Sequence, residues 1–174
     1  RIVGASLVLA VCMGLASAVL RVAPSAVGRL LSLLYVGTVR NTPLLMQLFA
    51  VYFVAAPILG LSPFWAAVLA LSAFEGAYMA EIFRAGIEGV PRRQWDAAYS
   101  LGMPPYMAFV WVALPQALRR VLPPLVGQTV SLIKDSALVS AVALPDLTMR
   151  AQAAIADTFL SLELWSMVAA IYLL

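Results

Sequence analysis

Long stretches without a charged residue constrain this 174-residue chain more than any other feature of its sequence. Ile2–Leu20 carries no charge over nineteen residues, and Asn41–Phe74 carries none over thirty-four. An α-helix needs about 20 apolar residues to cross a hydrocarbon core of roughly 30 Å, and that core does not tolerate unpaired backbone groups. The sequence therefore predicts an all-α membrane protein.

The composition supports a lipid bilayer as the surroundings of this chain. Hydrophobic residues make up 64% of it and charged residues only 11%, against about 25% charged in an ordinary soluble domain. A net charge of +3 is too weak for a nucleic-acid binder. The chain has no histidine and one cysteine, Cys12, which excludes imidazole acid–base chemistry, zinc sites of the usual ligand sets and an intrachain disulfide.

Prolines and glycines divide the apolar runs into about five predicted transmembrane helices. Pro57, Gly60 and Pro63 break the longest run into two spans. The predicted spans are Ile2–Leu20, Thr42–Ile58, Pro63–Phe83, Val121–Leu144 and a segment that starts near Phe159. One more uncharged run, Ala97–Leu118, is interrupted by prolines and flanked by arginine pairs, so we expect it to form helices packed at the membrane surface.

The distribution of arginines orients these spans. The connections between spans one and two and between spans three and four hold most of them: Arg21, Arg29, Arg40, Arg84, Arg92, Arg93, Arg119 and Arg120. The opposite side holds only Arg150 between spans four and five. The positive-inside rule therefore places the arginine-rich connections in the cytoplasm, with the start of the chain outside and its end inside.

We expect the chain to be a fragment, truncated at both ends. It begins with Arg1 rather than an initiator methionine. Its last apolar run, Leu164–Leu174, would rise only about 16 Å as a helix, which is half of a span.

The connection between spans three and four, about residues 88–120, is long for a compact helical membrane protein, and long ordered loops tend to be functional. Pro91 and Gly102 suit the two ends of a short helix, which predicts one over Arg92–Leu101. Trp95, Ala98 and Gly102 then share one side of it. Such a helix is either a knob that fits a groove in another protein or a solvated amphipathic turn.

The spacing of residues in this loop resembles the EAA signature of ABC importer permeases, EAA-x3-G-x9-I-x-LP. Asp96-Ala97-Ala98 and Gly102 match it at the same spacing, and Val112-Ala-Leu-Pro115 completes it, with Asp in place of Glu and Val in place of Ile. In that family the segment forms a coupling helix that docks on a cytoplasmic ATPase subunit. The resemblance implies that Asp96, Ala97, Ala98 and Gly102 are the docking residues here.

Three further segments resemble the polar-amino-acid permeases of the histidine, glutamine, arginine and opine group. They are Arg40-Asn-Thr-Pro-Leu-Leu-Met-Gln47, Gly76-Ala-Tyr-Met-Ala-Glu-Ile-Phe-Arg-Ala-Gly-Ile87 and Ser131-Leu-Ile-Lys-Asp-Ser-Ala-Leu-Val-Ser140. The resemblance implies the type I ABC importer permease fold, in one transmembrane permease domain over residues 1–174 of a bacterial cytoplasmic membrane. It also implies a dimer with a second permease subunit, the same or different, an extracytoplasmic amino-acid-binding protein and an ATPase subunit.

Charged residues inside the predicted spans are candidates for the substrate pathway, because each costs roughly 2.5–3.5 kcal/mol at a helix centre. Glu75 either lines the pathway or is a protonated or hydrogen-bonded acid that bridges helices. Lys134 and Asp135 either line the pathway or serve packing, and we expect the helix to be broken or kinked there. Glu81 and Arg84 are spaced to pair on one helix face, with gate support as the alternative.

These observations predict a transmembrane subunit of an ATP-driven importer of polar or charged amino acids. The sequence has no phosphate-binding loop of the Gly-x4-Gly-Lys-Ser/Thr type, so the chain is not expected to be an enzyme, and ATP with Mg²⁺ would bind to the partner. The alternative is an ion-gradient-driven secondary transporter or channel that uses Glu75, Lys134 and Asp135 as coupling charges. An intramembrane enzyme lacks an evident nucleophile–base pair, and a membrane scaffold would leave the matched loop unexplained.

Overall fold

A computed structural model describes residues 1–142 and 144–173 of the chain. The described residues form eight helices that follow one another through short turns. They are α1 (Ile2–Val22), α2 (Ala26–Arg40), α3 (Leu44–Leu59), α4 (Pro63–Glu88), α5 (Arg92–Ser100), α6 (Pro105–Val142), α7 (Leu147–Thr158) and α8 (Ser161–Leu173).

Local capping residues begin or end several of these helices. The side chains of Ser25, Ser62 and Asp146 each accept a hydrogen bond from a backbone N–H in the first turn of α2, α4 and α7, respectively. Pro63 follows Ser62 at the first helical position, where its missing N–H is not needed. Gly60 ends α3 in the left-handed conformation, with a φ of 65°, and so allows the turn into α4.

Helices α1 and α4 form the centre of the fold and run parallel. Ser6 donates to the Val68 carbonyl at 3.5 Å, and Gly14, two turns later, faces Gly76 and Met79, two turns further along α4. Small residues on both helices allow this close approach of backbones, as in many membrane helix pairs. Two parallel neighbouring helices require the intervening chain to return across the membrane, in agreement with the predicted order of spans.

Helices α2 and α3 make that return as a bent pair, with an angle of 107° between them. Leu44 and Leu48 of α3 pack in a buried cluster with Leu71 of α4 and with Leu132 and Val139 of α6. The sequence analysis assigned residues 21–40 to a charged connection and missed α2. Its signal is the Ser25 cap followed by buried positions at Gly28, Ser32 and Val36, four residues apart.

Helix α6 extends over 38 residues, so the second part of the predicted surface segment Ala97–Leu118 is continuous with the predicted fourth span. Pro104 and Pro105 lie at its start, where proline is tolerated. A π-helical turn over Ala108–Ala113 precedes Pro115. This wider turn allows the helix to continue past a proline, which has no backbone N–H to donate.

The length of α6 is consistent with the predicted orientation of the spans. Residues 121–142 rise about 33 Å, which is enough to cross the hydrocarbon core, so residues 105–120 extend beyond it. Arg119 and Arg120 then lie on the same side as Arg92 and Arg93, as the charge distribution predicts.

The number of spans can be compared with the predicted five. Helices α1, α4 and α6 are each long and apolar enough to cross a membrane, and α2 with α3 makes a fourth span if the bent pair is one crossing. The last predicted crossing begins near Phe159; the structure has the shorter apolar helix α8 from Ser161, up to the last described residue. The all-helical, multi-span fold is confirmed, and the fifth crossing stays a prediction.

Candidate functional site: a coupling segment and an intramembrane carboxyl cluster

The predicted short helix in the cytoplasmic loop is α5, over Arg92–Ser100. Pro91 precedes its first residue, and Gly102 follows its end with a φ of 75°. The N–H of Met103 donates to the Ala98 carbonyl at 3.1 Å, and that of Gly102 to the Tyr99 carbonyl at 2.9 Å. This pair of bonds is a Schellman motif, which requires a left-handed residue where glycine stands.

The inner side of α5 packs against α6. The rings of Trp95 and Phe109 stack with centroids 6.4 Å apart and an interplanar angle of 25°. Both rings lie against a buried cluster of Val90, Ala113 and Ala117. Helix α5 is therefore packed against the start of α6 along its inner side. The sequence analysis placed Trp95 on one side of the helix but did not find its partner, Phe109.

The four predicted docking residues occupy different faces of this segment. Asp96 and Ala97 are exposed, whereas Ala98 is only 3% exposed and lies on the inner side. Gly102 is exposed, and a Cβ there would meet no atom within 4 Å. Asp96 and Ala97 thus offer side chains to solvent, while Ala98 and Gly102 set the position and the end of the helix. A groove of about 600 Å³ beside Asp96 is lined also by Glu88, Arg92 and Tyr99.

Inside the membrane, Glu75 is fully buried in α4 and bridges to α6. Gln128 Nε2 donates to Glu75 Oε2 at 2.6 Å, and Glu75 Oε1 has no hydrogen-bond partner among the described residues. Asp135 lies seven residues after Gln128, about two turns along α6, and so on the same side of that helix. The structure thus pairs Glu75 with Gln128, which the sequence analysis did not single out, and places Asp135 on the side of α6 that carries Gln128.

Lys134 is not part of this cluster. Its side chain is exposed on the surface of α6, because adjacent helical residues point in different directions. The helix is not broken at these residues as expected; its α-helical geometry ends at Asp135 and continues as a 3-10 segment over Ser136–Val142. The altered backbone follows directly after the two charged residues.

Towards the cytoplasm, Glu81, Arg84 and Glu88 form an ion-pair network along α4. Arg84 donates to both carboxylates, so the predicted Glu81–Arg84 pair is confirmed and Glu88 extends it. Next to this network a cavity of about 340 Å³ lies between α4, α6 and Arg40 at the end of α2, and it reaches from Gln128 to Arg120. It connects the level of the carboxyl cluster with the arginine-rich end of the fold.

The described residues thus form a bundle of helices long enough to span a membrane, with a short helix between the two longest, an architecture that permits a membrane permease subunit. Within the described residues, no group of three His, Cys, Asp or Glu side chains could hold a metal ion. The chain belongs to the family of binding-protein-dependent transport system inner membrane components, whose model matches residues 10–174. It is thus a multi-pass permease subunit, and the family favours it over the gradient-driven alternative.

Individual relatives agree with that family. The putative glutamine transport system permease protein GlnP of Rickettsia typhi is 35% identical over 156 residues, which cover 88% of this chain and 72% of the relative. GlnP of Escherichia coli K12 is 37% identical, over 82% of this chain and 67% of the relative. The L-cystine permease TcyB of Bacillus subtilis is 44% identical, over 68% and 51% respectively.

A solved structure has the same fold. A crystal structure described as an amino acid ABC transporter with histidines superposes with a TM-score of 0.92 at 36% identity. The match covers 99% of this chain and 81% of the solved one. The expectation of an ABC importer permease fold is therefore confirmed over nearly the whole chain.

Proposed function

We propose that this chain is the membrane-spanning subunit of an ATP-driven importer for polar or charged amino acids. The relatives named for glutamine and L-cystine transport support this substrate class. The partners would be an ATPase subunit that binds ATP and Mg²⁺, an extracytoplasmic amino-acid-binding protein and a second permease subunit, in the cytoplasmic membrane of a bacterium.

The observation that carries the coupling part of this proposal is the packing of Trp95 of α5 against both α4 and α6. On one side Val90 and Ile87, at the end of α4, pack in the cluster that holds Trp95. On the other side Trp95 stacks on Phe109 of α6. A force applied by an ATPase to the exposed face of α5 therefore reaches both α4 and α6.

Those two helices are the ones that carry the carboxyl cluster. Relative movement of α4 and α6 would alter the Glu75–Gln128 bond and the cavity that leads from Gln128 to Arg120. ATP hydrolysis on the partner would in this way change access to the interior from one side of the membrane to the other. Glu75 and Asp135 would face the cationic part of the substrate, and Lys134 would act at the edge of the bundle.

Enlarging an exposed residue of α5 tests the docking surface. We expect Ala97→Trp to abolish co-purification of the ATPase subunit and ATP-dependent uptake, because the new ring occupies the face that would enter the partner. Ala153→Trp, an equally exposed alanine on α7, is the matched control and should leave both intact. Circular dichroism and monodisperse elution of both variants establish that the membrane fold is kept.

Gly102 provides a second test. Its backbone is left-handed and an added Cβ would meet no neighbouring atom, so a substitution there acts through the backbone conformation and not through a steric clash. Asparagine tolerates this conformation, whereas β-branched valine does not. We expect Gly102→Asn to keep most of the ATPase co-purification and Gly102→Val to lose it. Equal behaviour of the two variants, together with normal docking of Ala97→Trp, would contradict a coupling role for α5 and return the gradient-driven alternative to consideration.

A further inference from the structure

A second cavity lies beside α4 and shares Arg40, Tyr78 and Glu81 with the cavity that leads from Gln128 to Arg120. It measures about 370 Å³ and lies between α1, α2 and α4. Arg21, near the end of α1, and Arg40, the last residue of α2, line it together with Tyr78 and Glu81 of α4. The two arginines come from positions nineteen residues apart and meet only through the packing of three helices.

The charges in this cavity are unbalanced. Glu81 is bound through its carboxylate by Arg84, so it is only a distant partner for Arg21 and Arg40. Neither of these two arginines forms an ion pair within residues 1–142 and 144–173. The Arg40 guanidinium lies 4.9 Å from the centroid of the Tyr78 ring, which holds it in place at the cavity wall.

Polar groups dominate the lining of the cavity, and α2 also carries exposed apolar side chains. Helix α2 carries a row of exposed large apolar side chains, Val27, Leu30, Leu31 and Leu34, and Leu33 and Val36 of the same helix line the cavity. Arg21 follows directly after the uncharged span of α1, on the side that the arginine distribution assigns to the cytoplasm. The cavity thus lies at the inner membrane surface, where headgroup and acyl chain meet.

We propose that this cavity binds the phosphodiester headgroup of an anionic phospholipid from the cytoplasmic leaflet. Two guanidinium groups would donate to the phosphate oxygens, for which the arginine fork is well shaped. Leu33, an exposed apolar side chain that lines the cavity, would contact an acyl chain. Basic pockets between membrane helices on the cytoplasmic side are suited to such headgroups.

The test is a lipid titration of the full-length permease, purified in mild detergent with whatever subunits accompany it. Native mass spectrometry counts the palmitoyl-oleoyl phosphatidylglycerol molecules retained, with phosphatidylcholine as the neutral lipid. We expect Arg21→Gln and Arg40→Gln each to weaken phosphatidylglycerol binding by about fivefold, the effect of one arginine near an anionic surface. Arg29→Gln is the matched control, because Arg29 is an exposed arginine of α2 outside the cavity.

Further variants and conditions distinguish a bound lipid from a soluble anion and control for misfolding. Arg21→Lys keeps the charge and should weaken binding less than Arg21→Gln. Equal phosphatidylglycerol retention in Arg21→Gln and Arg29→Gln would overturn the proposal. So would displacement of the lipid by millimolar inorganic phosphate, since the cavity would then be a site for soluble anions. Loss of a co-purifying protein in Arg21→Gln without any lipid effect would instead assign the cavity to a protein contact.

Discussion

At the scale of single residues, Glu75 was expected either to bridge two helices or to line the substrate pathway, and its contacts fit both roles. It bridges two helices through Gln128, as the bridging interpretation predicts, and its second carboxyl oxygen has no hydrogen-bond partner among the described residues. A buried polar atom without a partner is costly, and its presence in a native fold calls for an explanation such as a ligand or a water molecule. Neutralising Glu75 therefore distinguishes a helix-bridging role of its carboxyl group from a role in substrate transport.

We predict that Glu75→Gln keeps the fold and lowers uptake of cationic amino acids by about tenfold, close to the value of one hydrogen bond to a charged group. The amide retains the size of the side chain and still bonds to Gln128. Radiolabelled uptake into membrane vesicles measures the effect, and Asp157→Asn is the control, an exposed carboxylate neutralised in the same way. Unchanged uptake of cationic substrates in Glu75→Gln would assign the carboxylate to helix bridging alone.

The sequence identified Glu75 but not its partner. A carboxylate in a long apolar run stands out by composition, since its cost in the membrane is a property of the residue itself. Gln128 lies 53 positions away, and nothing in the local pattern links an amide there to that carboxylate. The rotation of α6 about its own axis decides which of its side chains faces α4, and packing sets that rotation.

At the scale of secondary-structure elements, the contact between α1 and α4 depends on glycine at one position and not at another. A Cβ on Gly14 would lie 2.8 Å from Met79 Cβ and 3.1 Å from the Gly76 carbonyl oxygen. A Cβ on Gly4, in the same helix, would meet nothing within 4 Å. Both glycines look equivalent in the sequence, as small residues of an apolar span.

We predict that Gly14→Ala destabilises the protein by about 1–3 kcal/mol, because the added methyl group overpacks the helix interface. Gly4→Ala should be neutral or stabilising by about 0.5–1 kcal/mol, since alanine favours the helix over glycine. Thermal unfolding of the two variants in the same detergent gives the comparison. A melting temperature of Gly14→Ala equal to that of Gly4→Ala would contradict the close packing of α1 on α4.

The elements themselves were predicted unequally well. The bounds of α5 follow from Pro91 and Gly102, because helix termini are set by residues in direct sequence neighbourhood. The continuity of α6 did not follow, since Pro115 normally marks a helix end. The π-helical turn that accommodates it is stabilised by packing of Ala108 and Ala113, and sequence alone does not reveal it.

At the scale of the whole molecule, the arrangement of α1, α4 and α6 determines which connecting segments lie on the same side of the membrane. The turn at Gly60–Ser62 and the helix α7 lie on one side, and α5 lies on the other, if α4 and α6 each cross once. The arginine distribution assigns the α5 side to the cytoplasm.

We predict that Ser62→Cys and Asp157→Cys react with a membrane-impermeant maleimide added to intact cells, and that Ser100→Cys reacts only after permeabilisation. All three positions are exposed, and Cys12→Ala removes the native thiol, so each variant has a single reactive group. The Cys12→Ala protein alone is the control for background labelling. Reaction of Ser100→Cys in intact cells would reverse the assigned orientation, and labelling of Asp157→Cys only after permeabilisation would contradict the crossing by α6.

The sequence by itself determined that the chain is helical and spans a membrane several times, and it predicted a short helix over Arg92–Leu101 on the arginine-rich side. Each of these rests on local properties, namely the length of uncharged runs, the placement of arginines and the residues that begin and end a helix. Only the tertiary structure decided that Gln128 bonds to Glu75, that Gly14 is closely packed where Gly4 is not, and that Arg21 meets Arg40 in one cavity. These depend on the rotation and crossing of packed helices, to which residues far apart in the chain contribute together.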